Sequence, residues 1–149
     1  YIAETHAGRV WAYRLVELAR WKQRLNLPIV IEPENFPAKT PLSAHLVTAA
    51  RLAGGNALLL STLILESLWE QDRSIDDETV LAECCAKAGF DGASLVTAAK
   101  SEETKAAFEE DTEQALHRGV FGAPSFIIDE ELFWGQDRLD FVAEKLGVS

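Results

Sequence analysis

The sequence predicts an α/β fold in which helices greatly outnumber strands. Helical patterns fill most of the chain up to about residue 118, and two short β-prone runs, SFIID and ELFWG, follow them. The last segment, RLDFVAEKLG, has the spacing of an amphipathic helix. The 149 residues and the hydrophobic content of 48% are typical of one globular domain with a buried core. We therefore predict a long helical region that ends in a helix, strand, strand, helix unit.

The first helix is predicted over Arg9–Leu25, where apolar residues recur at helical spacing between Arg and Lys side chains. Asn26 and Pro28 end this helix. The next segment, LPIVIEPENFPAKTPLS, contains four prolines, which exclude a regular helix. We expect an extended, ordered loop there.

Five further helices follow this loop, and short polar or glycine-containing segments separate them. Gly54 and Gly55 separate the first two, Asp76 and Asp77 are candidate caps for the third, and Asp91 and Ser101 are candidate caps for the last two. The predicted helices are Ala44–Ala53, Asn56–Gln71, Glu78–Ala88, Gly92–Ala99 and Glu102–Arg118.

The charge of the chain narrows the class of partner. A formal net charge of −10 and a pI near 4.7 argue against a nucleic-acid or anionic-membrane partner, because such partners require clustered Lys and Arg. The most apolar stretch, GGNALLLSTLILESLW, is interrupted by polar residues before it reaches the roughly 18 residues of a spanning helix. We expect that stretch to be a buried helix, and the partner to be a small molecule or a protein.

The two cysteines, Cys84 and Cys85, are adjacent within a helical pattern, which directs neighbouring side chains to different faces. They lack the C-x-x-C spacing of a redox pair, and no His or Cys cluster completes a metal site. We expect two reduced packing residues, no metal, and a cytoplasmic protein.

The stretch GVFGAPSFII places Pro124 immediately before the first strand. A helix, strand, strand, helix unit with a proline at this point resembles the C-terminal half of the thioredoxin fold, in which the proline is cis. That resemblance predicts a cis Ala123–Pro124 bond and outward-facing N–H and C=O groups on Ala123, which could pair with an extended peptide-like ligand. The alternative is an ordinary trans proline at the start of a strand.

Three stretches, GVFGAPSF, WGQDRL and ELARWKQRLNLPIVIEPENFPA, resemble the 2-hydroxychromene-2-carboxylate isomerases, which are relatives of the kappa-class glutathione transferases in the DsbA-like thioredoxin superfamily. The resemblance covers nearly the whole chain. It implies a helical insertion over residues 12–99 and the C-terminal part of a thioredoxin-like domain over residues 100–149. Residues 1–11 would connect this part to a missing N-terminal thioredoxin segment that was cleaved, is disordered or is supplied separately.

The resemblance further implies that glutathione binds as a cofactor. In the family, the main chain of the residue before the proline pairs with the cysteinyl part of glutathione, and a loop holds the γ-glutamyl end. In that loop an acidic side chain faces the ammonium group, and a helix N-terminus faces the carboxylate. The matching residues here are Ala123, Pro124, Trp134, Gly135, Gln136 and Asp137. Three of them have structural alternatives: Asp137 as a plain helix cap, Trp134 as a core aromatic and Gly135 as a turn residue.

The proline-rich loop resembles the family segment that lines the pocket for the second substrate, which assigns Asn35 and Phe36 to substrate binding. The alternative for both residues is a structural role in a crossover held by prolines. The family also forms homodimers, so the resemblance implies a homodimer here.

The activity implied by the resemblance is a cis-trans isomerisation in aromatic degradation. Glutathione adds to a conjugated carbon of the substrate and leaves after bond rotation, and a serine near the family's first helix activates the thiol. The residues before Arg9 are too few to form the strand, helix and strand that open the thioredoxin fold and carry this serine. We therefore assign no catalytic residue within this chain, and we do not expect these 149 residues alone to turn over substrate. Two alternatives remain, a DsbA-type dithiol-disulfide oxidoreductase, which needs C-x-x-C, and a non-catalytic thioredoxin-like remnant.

Overall fold

The structure is a computed structural model and describes residues 6–148. The described residues divide into two compact units, the first ending at Lys105 and the second beginning at Ala106. Residues 1–5 of the predicted N-terminal connection lie outside the described residues.

The predicted helices of the first unit are all present, with ends that differ from the prediction by a few residues. The second of them begins directly after Pro41, because proline fits the start of a helix, where its missing N–H has no partner to lose. The helices are α1 (His6–Leu25), α2 (Leu42–Leu52), α3 (Ala57–Trp69), α4 (Glu78–Lys87) and α5 (Gly92–Ala99).

Side-chain caps begin three of these helices. Asn56 accepts a hydrogen bond from the N–H of Leu59 at 3.0 Å, and the carboxylates of Asp77 and Asp91 accept from N–H groups of α4 and α5, each at 2.8 Å. The prediction that Asp76 also caps α4 is wrong. Its carboxylate accepts instead from backbone N–H groups of the proline-rich segment, because those N–H groups have no other partner in an irregular loop.

The core of the first unit is formed by α2, α3, α4 and α5. Its largest fully buried side chains are Leu46, Leu60, Leu81 and Cys85. Burial of each such leucine stabilises the fold by about 1.5–3 kcal/mol relative to exposure. The prediction that α3 is a buried helix holds for one face only, since Leu58 and Leu65 on the other face are 79% and 51% exposed.

The proline-rich segment, residues 28–41, forms no helix or strand but is fixed by hydrogen bonds, as the ordered loop was predicted to be. The Nζ of Lys22 in α1 donates to the carbonyl of Ile29, and the N–H of Val30 donates to the carbonyl of Trp69 at 2.6 Å. The Phe36–Pro37 peptide bond is cis, which the sequence did not predict.

The second unit contains most of α6 (Glu102–His117), β1 (Ser125–Ile128), β2 (Glu131–Trp134) and α7 (Leu139–Leu146). The strands are antiparallel, with Ser125 opposite Trp134 and Ile128 opposite Glu131. Asp129 and Glu130 form the two-residue turn, both in the left-handed region with φ of 49° and 67°. Two positive φ angles are typical of a type I′ turn, which is common in two-residue hairpins because its twist matches the twist of the strands.

Among the described residues, no helix combines the length and the apolar character that spanning a membrane requires.

Candidate functional site

The hairpin register brings the predicted glutathione-binding residues of the second unit together. Because Ser125 lies opposite Trp134, Pro124 lies beside Gly135, whose N–H donates to the Pro124 carbonyl at 2.9 Å. Pro124 has no N–H to return the bond, so the ladder stops there. The proline turn and the loop after β2 therefore meet at one end of the hairpin.

Ala123 is exposed, and its peptide bond to Pro124 is cis. Neither its N–H nor its C=O makes a hydrogen bond to another residue in the part of the chain that the structure describes. The turn around it is braced, since the Ser125 hydroxyl donates to the Gly122 carbonyl at 2.6 Å. Ala123 thus offers one main-chain donor and one acceptor to an extended ligand.

Trp134 covers this turn rather than filling a core. Its side chain is 52% exposed, and its ring centroid lies 5.1 Å from that of Phe121. The indole approaches the backbone of Gly122 so closely that a Cβ there would lie 2.6 Å from the indole Nε1. The alternative role of Trp134 as a core aromatic is therefore wrong, because the ring packs on an exposed turn.

Asp137 lies in a single 3₁₀ turn, Gln136–Arg138, that follows Gly135. Gly135 has a φ of +100°, which favours glycine, so its role as a turn residue is confirmed. The alternative role of Asp137 as a helix cap is wrong, because α7 begins only at Leu139 and no side chain caps it or the 3₁₀ turn. Asp137 instead pairs with Arg138 at 2.8 Å.

This ion pair is exposed on both sides, with side-chain exposures of 50% and 53% for Arg138 and Asp137. Exposed pairs of this kind contribute little, about 0–1 kcal/mol. The Asp137 carboxylate can therefore exchange its partner for the ammonium group of a ligand at small cost.

A groove of about 390 Å³ runs beside Ala123 in the second unit. Its lining combines polar side chains on the α6 side with the apolar residues Ala115, Val120 and Ile127, and a largely apolar pocket with a few polar groups is typical of small-molecule sites. Residues that line it include Asp111, Gln114, Arg118, Gly122, Ala123 and Ser125.

The first unit contains a separate cavity of about 170 Å³, which we call the aromatic pocket. It lies among α1, the proline-rich segment and the end of α3. The rings of Phe36 and Trp69 pack there with centroids 5.0 Å apart at 43°. The aromatic pocket is lined by Trp11, Arg14, Leu15, Leu18, Ile31, Glu32, Pro33, Phe36 and Trp69.

Arg14 supplies the positive charge of the aromatic pocket. Its guanidinium lies 5.7 Å from the ring centroid of Trp11, and it forms no ion pair within residues 6–148. Glu32 lines the same cavity with the opposite charge. Aromatic walls and a guanidinium without a carboxylate partner suit a planar aromatic carboxylate.

The two residues predicted to bind substrate belong to this first unit. Phe36 lines the aromatic pocket directly. The side-chain amide of Asn35 donates to the Asp72 carbonyl at 2.6 Å and to its carboxylate at 3.2 Å, so it supports the loop. Substrate binding by Asn35 and Phe36 stays a prediction.

Sequence reasoning missed the contributions of Trp11, Arg14 and Trp69 to the aromatic pocket. A signal was present in α1, where Trp11, Arg14, Leu15 and Leu18 follow one another at spacings that place them on one helix face. This spacing places Arg14 on the same face as Trp11, which is the arrangement that the aromatic pocket uses. Trp69 gave no such signal, because it lies far along the chain.

The two cysteines pack in the core of the first unit. Cys84 and Cys85 are 2% and 0% exposed, and the Cys84 sulfur lies 3.3 Å from the Ser67 hydroxyl. Burial, and then the neighbouring Cys84, raises the pKa of the Cys85 thiol to about 11. Within the described residues, no group of His, Cys, Asp and Glu side chains is placed to hold a metal ion.

We expect both cysteines to resist iodoacetamide in the native protein at mildly alkaline pH, because the thiolate is the reactive form and neither sulfur is accessible. Mass spectrometry of the intact protein should show no added group, whereas the same treatment in guanidinium chloride should modify both. Rapid native labelling of Cys85 would contradict its raised pKa.

Comparisons with known proteins agree on one family. The sequence matches the family model of the DSBA-like thioredoxin domain over residues 9–147. Among curated proteins, a 2-hydroxychromene-2-carboxylate isomerase of Sphingobium xenophagum is 29% identical over 133 residues, which are 89% of this chain and 66% of that protein. One from Pseudomonas putida is 26% identical over 135 residues, covering 91% of this chain and 64% of that protein.

A solved structure of a 2-hydroxychromene-2-carboxylate isomerase superimposes with a TM-score of 0.75 at 26% identity, covering 92% of this chain and 66% of that one. The chain therefore spans just under two thirds of the length of these relatives. The mostly helical thioredoxin-like fold predicted from the sequence is confirmed.

Proposed function

The chain belongs to the DSBA-like thioredoxin domain family, and on that premise we propose that it is a glutathione-dependent isomerase of the 2-hydroxychromene-2-carboxylate type. Curated relatives and a solved structure that carry this isomerase name support the reaction class. The substrate would be a small aromatic carboxylate of the kind that those names describe.

The residues at the end of the hairpin fit glutathione. Ala123 has a main-chain donor and acceptor that no described residue uses, and these suit the cysteinyl part of the tripeptide. The Asp137 carboxylate suits the γ-glutamyl ammonium group, because its present partner, Arg138, forms only an exposed pair. Trp134 covers one side of the turn. Bound glutathione would supply a nucleophilic thiol, and these residues would bind and orient it.

The aromatic pocket fits the second substrate. Phe36, Trp69 and Trp11 provide aromatic surfaces for a conjugated ring, and Arg14 provides a cation for its carboxylate. The cavity of about 170 Å³ can admit an aromatic ring, since a protein cavity of about 150 Å³ is known to bind benzene.

One observation carries the proposal: the hairpin register joins the unpaired main chain of Ala123 to the loop that bears Asp137. The test is to supply the full-length protein with 2-hydroxychromene-2-carboxylate and to follow its absorbance with and without glutathione. We expect conversion only when glutathione is present. S-methylglutathione is the matched control, because it keeps the γ-glutamyl and glycyl groups but has no free thiol. Conversion that is equal without glutathione, or equal with the methylated form, would contradict the proposal.

A further inference from the structure

The carboxylate of Asp72, in the connection between α3 and α4, holds two consecutive backbone N–H groups of the proline-rich segment. Its Oδ2 accepts from the N–H of Glu34 at 3.1 Å, and its Oδ1 accepts from the N–H of Asn35 at 3.2 Å. The Asn35 side chain returns a hydrogen bond to the Asp72 carbonyl at 2.6 Å. The two segments, 37 residues apart, are therefore joined at one point by reciprocal hydrogen bonds.

Phe36 follows these two residues directly, so the direction of its side chain depends on where their backbone is held. Its ring packs on Trp69 with centroids 5.0 Å apart, and both rings line the aromatic pocket. On the other side of Phe36, the Asp76 carboxylate accepts from the N–H groups of Lys39 and Thr40 at 2.8 and 2.9 Å. The short stretch that carries Phe36 is thus held on both sides by carboxylates.

The chemistry of Asp72 suits this role better than that of a neutral side chain. The hydrogen bond from the Glu34 N–H, together with those from Asn35, lowers the pKa of Asp72, so the group is ionised at neutral pH. An ionised carboxylate can accept from two N–H groups, one on each oxygen, whereas an amide has only one acceptor oxygen. Asp72 has a φ of 49°, which Asn also tolerates, so an Asn replacement keeps the backbone.

We propose that Asp72 is a positioning residue for the aromatic pocket. It fixes Phe36 against Trp69 and so sets the width of the pocket that receives the aromatic ring of the substrate. The inference rests on the proposed function for the identity of the ligand, but not for the position of Phe36.

The test compares Asp72→Asn with wild type in the full-length protein, using 2-naphthoate as a non-reacting aromatic carboxylate. The variant loses one of the two side-chain oxygens that accept hydrogen bonds from backbone N–H groups. This loss should weaken 2-naphthoate binding by roughly fivefold, which corresponds to about 1 kcal/mol of binding free energy. Glutathione binding, measured in the same protein by calorimetry, should not change. Asp77→Asn is the matched control, since it removes the same charge nearby while Asn remains a good helix cap, and it should bind both ligands as wild type does.

A second measurement tests the position of Phe36 without any ligand, so its outcome does not depend on the proposed function. In wild type, NMR should show contacts between the Phe36 and Trp69 rings and slow exchange of the backbone N–H groups of Glu34 and Asn35, and Asp72→Asn should weaken the ring contacts and speed the exchange of the N–H that loses its acceptor. Retention of both signals in the variant would overturn the proposal, whether or not wild type binds 2-naphthoate. If wild type binds no 2-naphthoate but the variant loses these signals, positioning by Asp72 stands and the assignment of the pocket to an aromatic carboxylate fails.

Discussion

Asp137→Asn is expected to weaken glutathione binding about tenfold. The change removes the negative charge that would face the γ-glutamyl ammonium group while keeping the size of the side chain. A hydrogen bond to a charged group contributes roughly 1.5–3 kcal/mol, and we take the lower end because Asp137 is half exposed. Calorimetric titration of the full-length protein with glutathione measures the effect directly.

The stability of a second variant, Asp137→Ala, provides an internal check. Because Asp137 caps neither the 3₁₀ turn nor α7, Asp137→Ala should unfold at nearly the same temperature as wild type, whereas loss of a true cap costs about 1 kcal/mol. Asp140→Asn makes the same charge change in the first turn of α7 and should bind glutathione as wild type does. Wild-type affinity in Asp137→Asn would remove the acidic contact from the proposed site.

Local signals in the sequence predicted the helices well, because each helix carries its own periodicity and often its own cap. Asp77 and Asp91 each follow a break and accept an N–H of the helix that they begin, so both were recognisable without tertiary information. Asp76 shows where this reasoning fails. It has the same residue type and nearly the same position as Asp77, but it binds Lys39 and Thr40, which are distant in sequence.

The candidate glutathione site was predictable to the extent that it depends on the hairpin. Two strands joined by two residues pair so that Pro124 and Gly135 meet, and the family resemblance named residues on both sides of that pair. The exact start of the last helix was not predictable. Gly135 and the 3₁₀ turn delay α7 until Leu139, which changes Asp137 from a cap into a partner of Arg138.

The aromatic pocket was harder to predict, because its walls come from three separate segments. Trp69 reaches the pocket only because α3 ends beside the proline-rich segment, where the Trp69 carbonyl also accepts the N–H of Val30. Phe36 reaches it through the hydrogen bonds of Asp72. No periodic pattern records contacts of this kind, since each depends on how distant parts of the chain pack.

Arg14→Gln is expected to weaken binding of 2-naphthoate about tenfold in the full-length protein. Arg14 is the arginine that lines the aromatic pocket, and a charge-assisted hydrogen bond to the carboxylate of the ligand contributes roughly 1.5–3 kcal/mol, reduced here because the side chain is exposed. Quenching of tryptophan fluorescence would report binding, since Trp11 and Trp69 both line the cavity. Glutathione affinity should stay unchanged in this variant.

Two matched variants decide whether the effect belongs to the pocket or to net charge. Arg24→Gln removes the same charge from the same helix and the same kind of contact, since the Arg24 guanidinium lies 5.4 Å from the ring centroid of Trp21, outside the residues that line the pocket. It should bind 2-naphthoate as wild type does. Glu32→Gln removes a like charge from the lining and should tighten binding. Equal losses in Arg14→Gln and Arg24→Gln would mean that general attraction of the anion, rather than a paired carboxylate in the aromatic pocket, accounts for the affinity.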